Sequence, residues 1–294
     1  MRSTLALLAG ALLAVGAQAA TGLAFLKIES DAASAAMGDA GGAWETSLSV
    51  VGNPALAAPD NLSHFSLSQS DWIFDSRLTA LAFHTPILGG LQGGVDLRVL
   101  SSEDFERRED ANPQPLGTFR LDDLAAGISL SAPLPGGLRA GVAARRVQEK
   151  LDNEDSRGWC GDVGLSWQRE RLLVSASILN LGSSSAFRSE DVELPRTLNL
   201  SAAWSGPMPL TGWESSARMA LRHLRDDEAH PHLGLEVRPA SGLALRAGWM
   251  GGYEERSVTL GAGFAWRQMR LDYGWLPFDS ALDDVHRFTF AFSL

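Results

Sequence analysis

The side chains able to do chemistry in this chain are few and scattered. Its six histidines are His64, His84, His223, His230, His232 and His286. Only His230 and His232 share one face of an extended segment. With Pro231 between them at a loop edge, they do not read as a metal site. No GxSxG, HExxH, P-loop or CxxC spacing occurs. The single cysteine, Cys160, has no partner for an internal disulfide and falls on the small-residue face of its segment. No spacing marks a Ser or Asp beside a His as a hydrolytic pair. The sequence therefore names no catalytic, metal or cofactor-binding residue, implies no cofactor, and reads as a non-enzyme. A second class of residue is more regular. Asp96, Arg98, Arg139, Asp162, Glu236, Arg238, Arg246, Arg270, Asp272 and Arg287 carry both signs and stand among Gly, Ala and Ser. A buried charge is strongly disfavoured without a partner, so these predict a salt-bridged interior rather than an ion-selective pore.

The segments that carry these charges repeat one pattern from about residue 61 to the end. In 286–294, Phe288, Phe290, Phe292 and Leu294 alternate with Arg287, Thr289, Ala291 and Ser293. In 257–266, Val258, Leu260, Ala262, Phe264 and Trp266 alternate with Ser257, Thr259, Gly261, Gly263 and Ala265. The segments 243–249 and 269–275 do the same. Successive strand side chains point to opposite faces, so each segment has one oily face and one small or charged face. A sandwich would bury the oily faces together and leave the polar ones in bulk water. Small residues with scattered charges suit a crowded, wet lumen instead. The expected fold is all-β, a transmembrane antiparallel β-barrel of about fourteen strands over residues 61–294. Arginine at Leu260 or Leu245 is then expected to harm assembly more than arginine at Gly263 or Ala244, provided the bulk can be accommodated.

An even strand count leaves both ends on the periplasmic side. The connections expected there are short or rich in turn residues, such as 86–90, 133–137, 169–170, 239–242 and 267–268. The opposite set, 102–118, 149–156, 182–195 and 277–284, is longer and acidic. The two longest, 102–118 and 182–195, are expected to handle partners. Trp72, Trp159, Trp204, Trp213, Trp249 and Trp275 fall near segment ends, where an aromatic girdle lies. Residues 1–19 read as a signal peptide: Arg2, an apolar run, then Ala17-Gln18-Ala19 before a cut at Ala20. The expected location is the bacterial outer membrane, with its lipid as one partner. A mean hydropathy of -0.03 is what a chain shows when only alternate residues meet lipid. A formal charge of -10 gives no footprint for nucleic acid.

Residues 20–60 break the strand pattern and are rich in Ala and Gly. Gly22, Phe25, Leu26, Ile28, Ala36, Met37, Gly38, Ala40 and the run Asn53-Pro54-Ala55-Leu56 resemble the N-terminal signature of the PorV/PorQ family, relatives of the FadL-like barrels. At the other end, Tyr273-Gly274, Pro277-Phe278 and His286-Arg287-Phe288 resemble the same family. The chain departs from the family at Ala33, Ser34 and Ala35, where an Arg is common, and at Thr46 and Ser47, where Asp is common. The resemblance implies that 20–60 form a plug or hatch entering the barrel from the periplasmic side. It also implies work in type IX-like protein secretion and surface attachment, with a translocon and exported cargo proteins as partners. The alternative is a FadL-like channel for hydrophobic small molecules.

Overall fold

The structure is a computed structural model. It describes residues 23–41, 43, 46–102, 105–107, 117–152, 154–187, 190–208, 211–225, 227–239, 241–278 and 283–294. The signal-peptide segment 1–19, the cut at Ala20 and Gly22 lie outside the described residues, as do Glu103, Asp104, Glu109 and Asp110 of the connection 102–118 and Asp226 of the connection after Leu224.

The strands are β1 (His64–Trp72), β2 (Ser76–Pro86), β3 (Gln92–Ser101), β4 (Phe105–Arg107), β5 (Gly117–Phe119), β6 (Leu121–Leu134), β7 (Leu138–Leu151), β8 (Glu154–Arg169), β9 (Leu172–Phe187), β10 (Glu190–Glu193), β11 (Thr197–Pro207), β12 (Glu214–Leu224), β13 (Ala229–Arg238), β14 (Leu243–Met250), β15 (Val258–Trp266), β16 (Met269–Leu276) and β17 (Val285–Ser293). Fourteen of them, all but β4, β5 and β10, form one antiparallel ring that closes through β17–β1 and β8–β9. Closure leaves no unpaired edge, which is what a sheet at membrane depth requires.

Alternation sets the two faces. On β14, Leu243, Leu245 and Trp249 face outward while Ala244 and Arg246 are buried. On β17, Phe288 and Phe290 are exposed while Arg287 and Thr289 are buried. Outward residues such as Leu235 (62% exposed) and Ile128 (65%) repeat around the ring. So extended an apolar belt is stable only against lipid or a partner. Cys160 is buried on the inward face, as its register predicts.

Length differs around the ring. β6 and β7 have 14 residues and β8 and β9 have 16, whereas β14 to β17 have 8 or 9. About 9–11 tilted residues cross a bilayer, so β6–β9 project beyond it. They project at the end bearing connections 102–120, 188–196 and 277–284, called here the loop end; the opposite end is the turn end. The connection expected over 149–156 is thus mostly strand, since β7 runs to Leu151 and β8 starts at Glu154. The connections 102–118 and 182–195 also hold more order than their composition suggests, with β4 paired to β5 and β10 folded back on β9.

Two expectations about single positions fail. Trp72 does not join an outer girdle: it turns inward against Phe278, with ring centroids 6.2 Å apart. At Gly263 the proviso on bulk is not met, because a Cβ there would overlap Asp272 Oδ1 and lie 2.7 Å from Arg246 Nη1. The inward face is too crowded for tolerance to follow from facing alone. Pro231 also lies within β13 rather than at a loop edge.

Candidate functional site

The inward faces converge on residues 23–57, which connect to β1 at the turn end. This stretch contains α1 (Ala32–Ala35), α2 (Ser49–Gly52) and two 3-10 turns, Ala24–Lys27 and Pro54–Leu56. Asp31 caps α1 by accepting from the Ala33 amide at 2.9 Å, and the Thr46 hydroxyl donates to its other oxygen at 2.6 Å. Asn53 caps the second turn by accepting from the Ala55 amide at 2.9 Å. Such caps satisfy amide donors that so short a turn cannot satisfy internally.

Residues 32–38 sit hard against β13–β17. The Ala32 amide donates to Thr289 Oγ1 and the Gly38 amide to Thr259 Oγ1, both at 2.9 Å. The Gly38 carbonyl accepts from His232 Nδ1 at 2.6 Å, which leaves Nε2 to accept from the Tyr253 hydroxyl at 3.3 Å. Gly38 has φ +69°, and a Cβ on it would lie 2.7 Å from Trp249 N and 2.8 Å from Leu233 O. Across the contact, a Cβ on Gly248 would overlap the backbone of Met37 and Gly38. Backbone meets backbone here because neither side carries a side chain. Residues 53–55 also press on β7 and β8, with the Pro54 backbone against Gly141 and the Asn53 side chain against Gly164.

Residues 23–28 are held differently. Leu23, Phe25 and Leu26 join a buried apolar cluster with Leu78, Leu100, Ala125, Val147, Cys160 and Leu194 in the loop half of the barrel. A polar tie is the Leu23 amide, donating to Glu149 Oε2 at 3.0 Å. Leu23 itself has φ +54°, a left-handed conformation unfavourable for a branched side chain. Below the cluster, the Arg98 guanidinium lies 5.7 Å from the Phe25 ring centroid.

The lumen charges form networks. Arg145 makes two bonds to Asp96, at 2.8 and 3.0 Å, and a third contact to Asp162. A second chain runs from Glu236 to Arg246 (2.7 Å), from Arg246 to Asp272 (2.9 Å) and from Asp272 to Arg270 (2.6 Å). Arg238 reaches Glu236 at 2.9 Å, but about half of its side chain is exposed at the turn end. Sequence reasoning missed Arg145 and Arg218, both buried; the parity that selects Arg139 on β7 also selects Arg145. It also missed the buried carboxylates Asp31, Asp39 and Asp123. A cavity of about 40 Å³ lies between residues 29–56 and the wall, lined by Asp39, Ser177, Asn199 and Arg222 among others. That is room for a few waters and not for a hydrocarbon.

The remaining sequence-selected residues divide by face. Phe25, Met37, Gly38, Asn53, Pro54 and Ala55 are buried in residues 23–57. Gly274 and Arg287 point inward, a Cβ on Gly274 lying 2.8 Å from the Ala32 carbonyl oxygen. Pro277 and Phe278 start the loop after β16, with Phe278 packed on Trp72. Tyr273, His286 and Phe288 form an outward group, the Tyr273 hydroxyl lying 2.8 Å from His286 Nδ1. His230 and His232 are both buried, His230 stacking on Tyr253 at 4.2 Å. Burial raises the phenol pKa of Tyr253, which stands in a loop-end connection. Among the described residues, no three His, Cys, Asp or Glu side chains are arranged to hold a metal. No helix among them is long and apolar enough to cross a membrane, which says nothing of strands.

No family model matches the chain, and no curated protein is similar to it. Solved structures are. The chain is similar to the toluene transporter TodX of Pseudomonas putida, with 16% identity over 90% of this chain and 98% of that one, and a TM-score of 0.65. A TodX deltaS2S3 mutant, a monoaromatic hydrocarbon channel, gives 14% identity, 89% and 97% coverage, and a TM-score of 0.62. The likeness spans nearly the whole of both chains, and what it establishes is a shared barrel fold.

Proposed function

We propose that this protein is an outer-membrane channel passing hydrophobic small molecules, with residues 23–57 as its plug. The observation that carries the proposal is the apolar cluster in the loop half. There the lumen offers an oily surface, and the protein's own Leu23, Phe25 and Leu26 occupy it. A hydrophobic solute replacing them would make the same non-directional contacts. The wall beside this cluster is irregular. Between Gly161 and Val163 the β8–β9 register shifts, with Asn180 at φ +60° and its amide bonded to Asp162 at 2.7 Å. Such a bulge bends a strand and weakens the ladder, which supports a lateral route. The solved TodX structures, a toluene transporter and a monoaromatic hydrocarbon channel, agree with this direction. In this orientation the loop end faces outward and the turn end faces the periplasm, and the signal peptide 1–19 accounts for export.

A test is uptake of radiolabelled toluene by Gram-negative cells with and without the protein in their outer membrane. Faster initial uptake with the protein is expected. Equal rates, with folded barrel shown in the membrane fraction, contradict a channel for such solutes.

A second reading, a partner in type IX-like protein secretion as in PorV/PorQ proteins, draws on the tall strands β6–β9. With β10 they stand beyond the bilayer and offer surface to a protein. Shortening 102–118 or 182–195 separates the two. Loss of cargo at the cell surface with unchanged toluene uptake supports secretion.

A further inference from the structure

At the loop end, beside the apolar cluster, two arginines have no anionic partner among the described residues. Arg287 on β17 is 1% exposed, and its Nε and both Nη nitrogens have no hydrogen-bond partner. Its register neighbour on β1, Ser70, is buried with its hydroxyl also unpartnered. A buried unpaired guanidinium is costly, and so is a buried unbonded hydroxyl. The nearby carboxylates do not bond Arg287. Glu29 Oε1 accepts from the amides of Ser30 and Asp31, and Asp31 from Ala33 and Thr46. Asp39 faces Arg222 at 4.0 Å and keeps one buried oxygen, Oδ1, without a partner among the described residues. They moderate the charge on Arg287 without bonding to it.

Above Arg287, three rings from three elements surround a second guanidinium. Arg256, half-buried in the connection 251–257, lies 5.1 Å from the Tyr253 centroid, 5.7 Å from Phe278 and 6.0 Å from Trp72. Arg287 lies 5.8 Å from the same Trp72 ring. A planar cation therefore occupies a space walled by aromatic faces, with an unsatisfied cation at its inner end. Cation–ring contacts of this kind are worth only about 0.5–2 kcal/mol, so the occupant is replaceable.

We propose that this mouth is a binding site for an aromatic anion of the benzoate class. The ligand's ring takes the place of the Arg256 guanidinium among Trp72, Tyr253 and Phe278. Its carboxylate reaches Arg287, which supplies a fork of donors, and Ser70 supplies one more. The inference deepens the channel reading, on which it rests for the passage of the solute, by naming a solute class. Ring and charge are both required: a neutral aromatic leaves Arg287 unpaired, and an aliphatic acid leaves the box without a flat occupant.

The test is titration of the purified barrel in detergent with benzoate, benzyl alcohol and octanoate, read by calorimetry and by quenching of tryptophan fluorescence. Saturable benzoate binding is expected, with a Kd at least tenfold lower than for either other compound. Arg287→Met should weaken benzoate binding at least tenfold, with retained heat-modifiable gel mobility showing a folded barrel. Phe278→Ala, outside the barrel ladder, should weaken it fivefold or more whether or not Arg287→Met assembles. Trp72→Phe should remove most of the quenching. Benzoate bound no tighter than benzyl alcohol or octanoate, or unchanged binding in folded Phe278→Ala, overturns the site. Toluene uptake by cells separates this outcome from failure of the channel. Uptake without benzoate binding refutes only the site, and benzoate binding without uptake refutes only the channel.

Discussion

Residues 32–38 and residues 23–28 both lie inside the barrel, but they are attached by different physics. The first stretch touches the wall backbone to backbone, through Gly38 and Gly248, with directed bonds to Thr259, Thr289 and His232. Contacts of that kind have one geometry and are lost together. The second stretch is held by apolar side chains and by an amide–carboxylate bond to Glu149. Apolar contact is non-directional, so another apolar group can replace it with little loss. The difference teaches where movement belongs. On the proposed channel reading, residues 32–56 would be the attachment and residues 23–28 the stopper.

The largest effect expected is from Arg145→Met. It leaves Asp96 and Asp162 buried together without their cation, a loss of about 3–5 kcal/mol. Urea unfolding of the reconstituted barrel reads it, and Arg145→Lys should recover only part because it cannot bond Asp96 through two nitrogens. Next is Gly248→Val, which pushes the Met37–Gly38 backbone off the wall at about 1–3 kcal/mol. It should also raise the protease sensitivity of residues 32–56. Asn53→Ala removes the cap on Ala55 and the Asn53 bond to the Ala176 carbonyl, at about 1 kcal/mol, read by the same unfolding curve. The smallest global effect should come from Phe25→Ala. Such a truncation in a rigid core costs about 3–5 kcal/mol. If residues 23–28 detach before the barrel unfolds, the urea midpoint barely moves and uptake of hydrophobic solute rises. A full core-sized loss would erase the contrast between the two stretches.

Most of the wall was legible in the sequence, because period-two alternation is imposed residue by residue. Val258, Leu260, Phe264 and Trp266 each had to face outward, and they do. Trp72 was misread because a tryptophan at a strand end suits the membrane interface and an inward cluster equally, and only Phe278 and Arg287 decide between them. Whether Gly263 has room could not be read from facing, because its neighbours Asp272 and Arg246 come from adjacent strands and meet only after register is fixed. Cysteine parity placed Cys160 inward, yet its apolar companions Leu23, Phe25 and Leu194 lie far from it in sequence. The candidate site was therefore almost invisible beforehand. It is built from contacts between the non-repeating N-terminal residues and a ring of strands, and no local period encodes them. Arg256 and Ser70 gave no signal at all, because each is an ordinary residue until the chain closes around it.

Amide hydrogen exchange of the detergent-solubilised barrel, resolved between residues 23–28 and 32–38, tests the division of the plug most directly. Local opening free energies differ across a structure, and each stretch reports its own. Faster exchange at 23–28 than at 32–38 is expected. Added toluene should change exchange at 23–28 and leave 32–38 as it was. Equal exchange of the two stretches, moving together when toluene is added, would contradict a fixed attachment with a separate stopper.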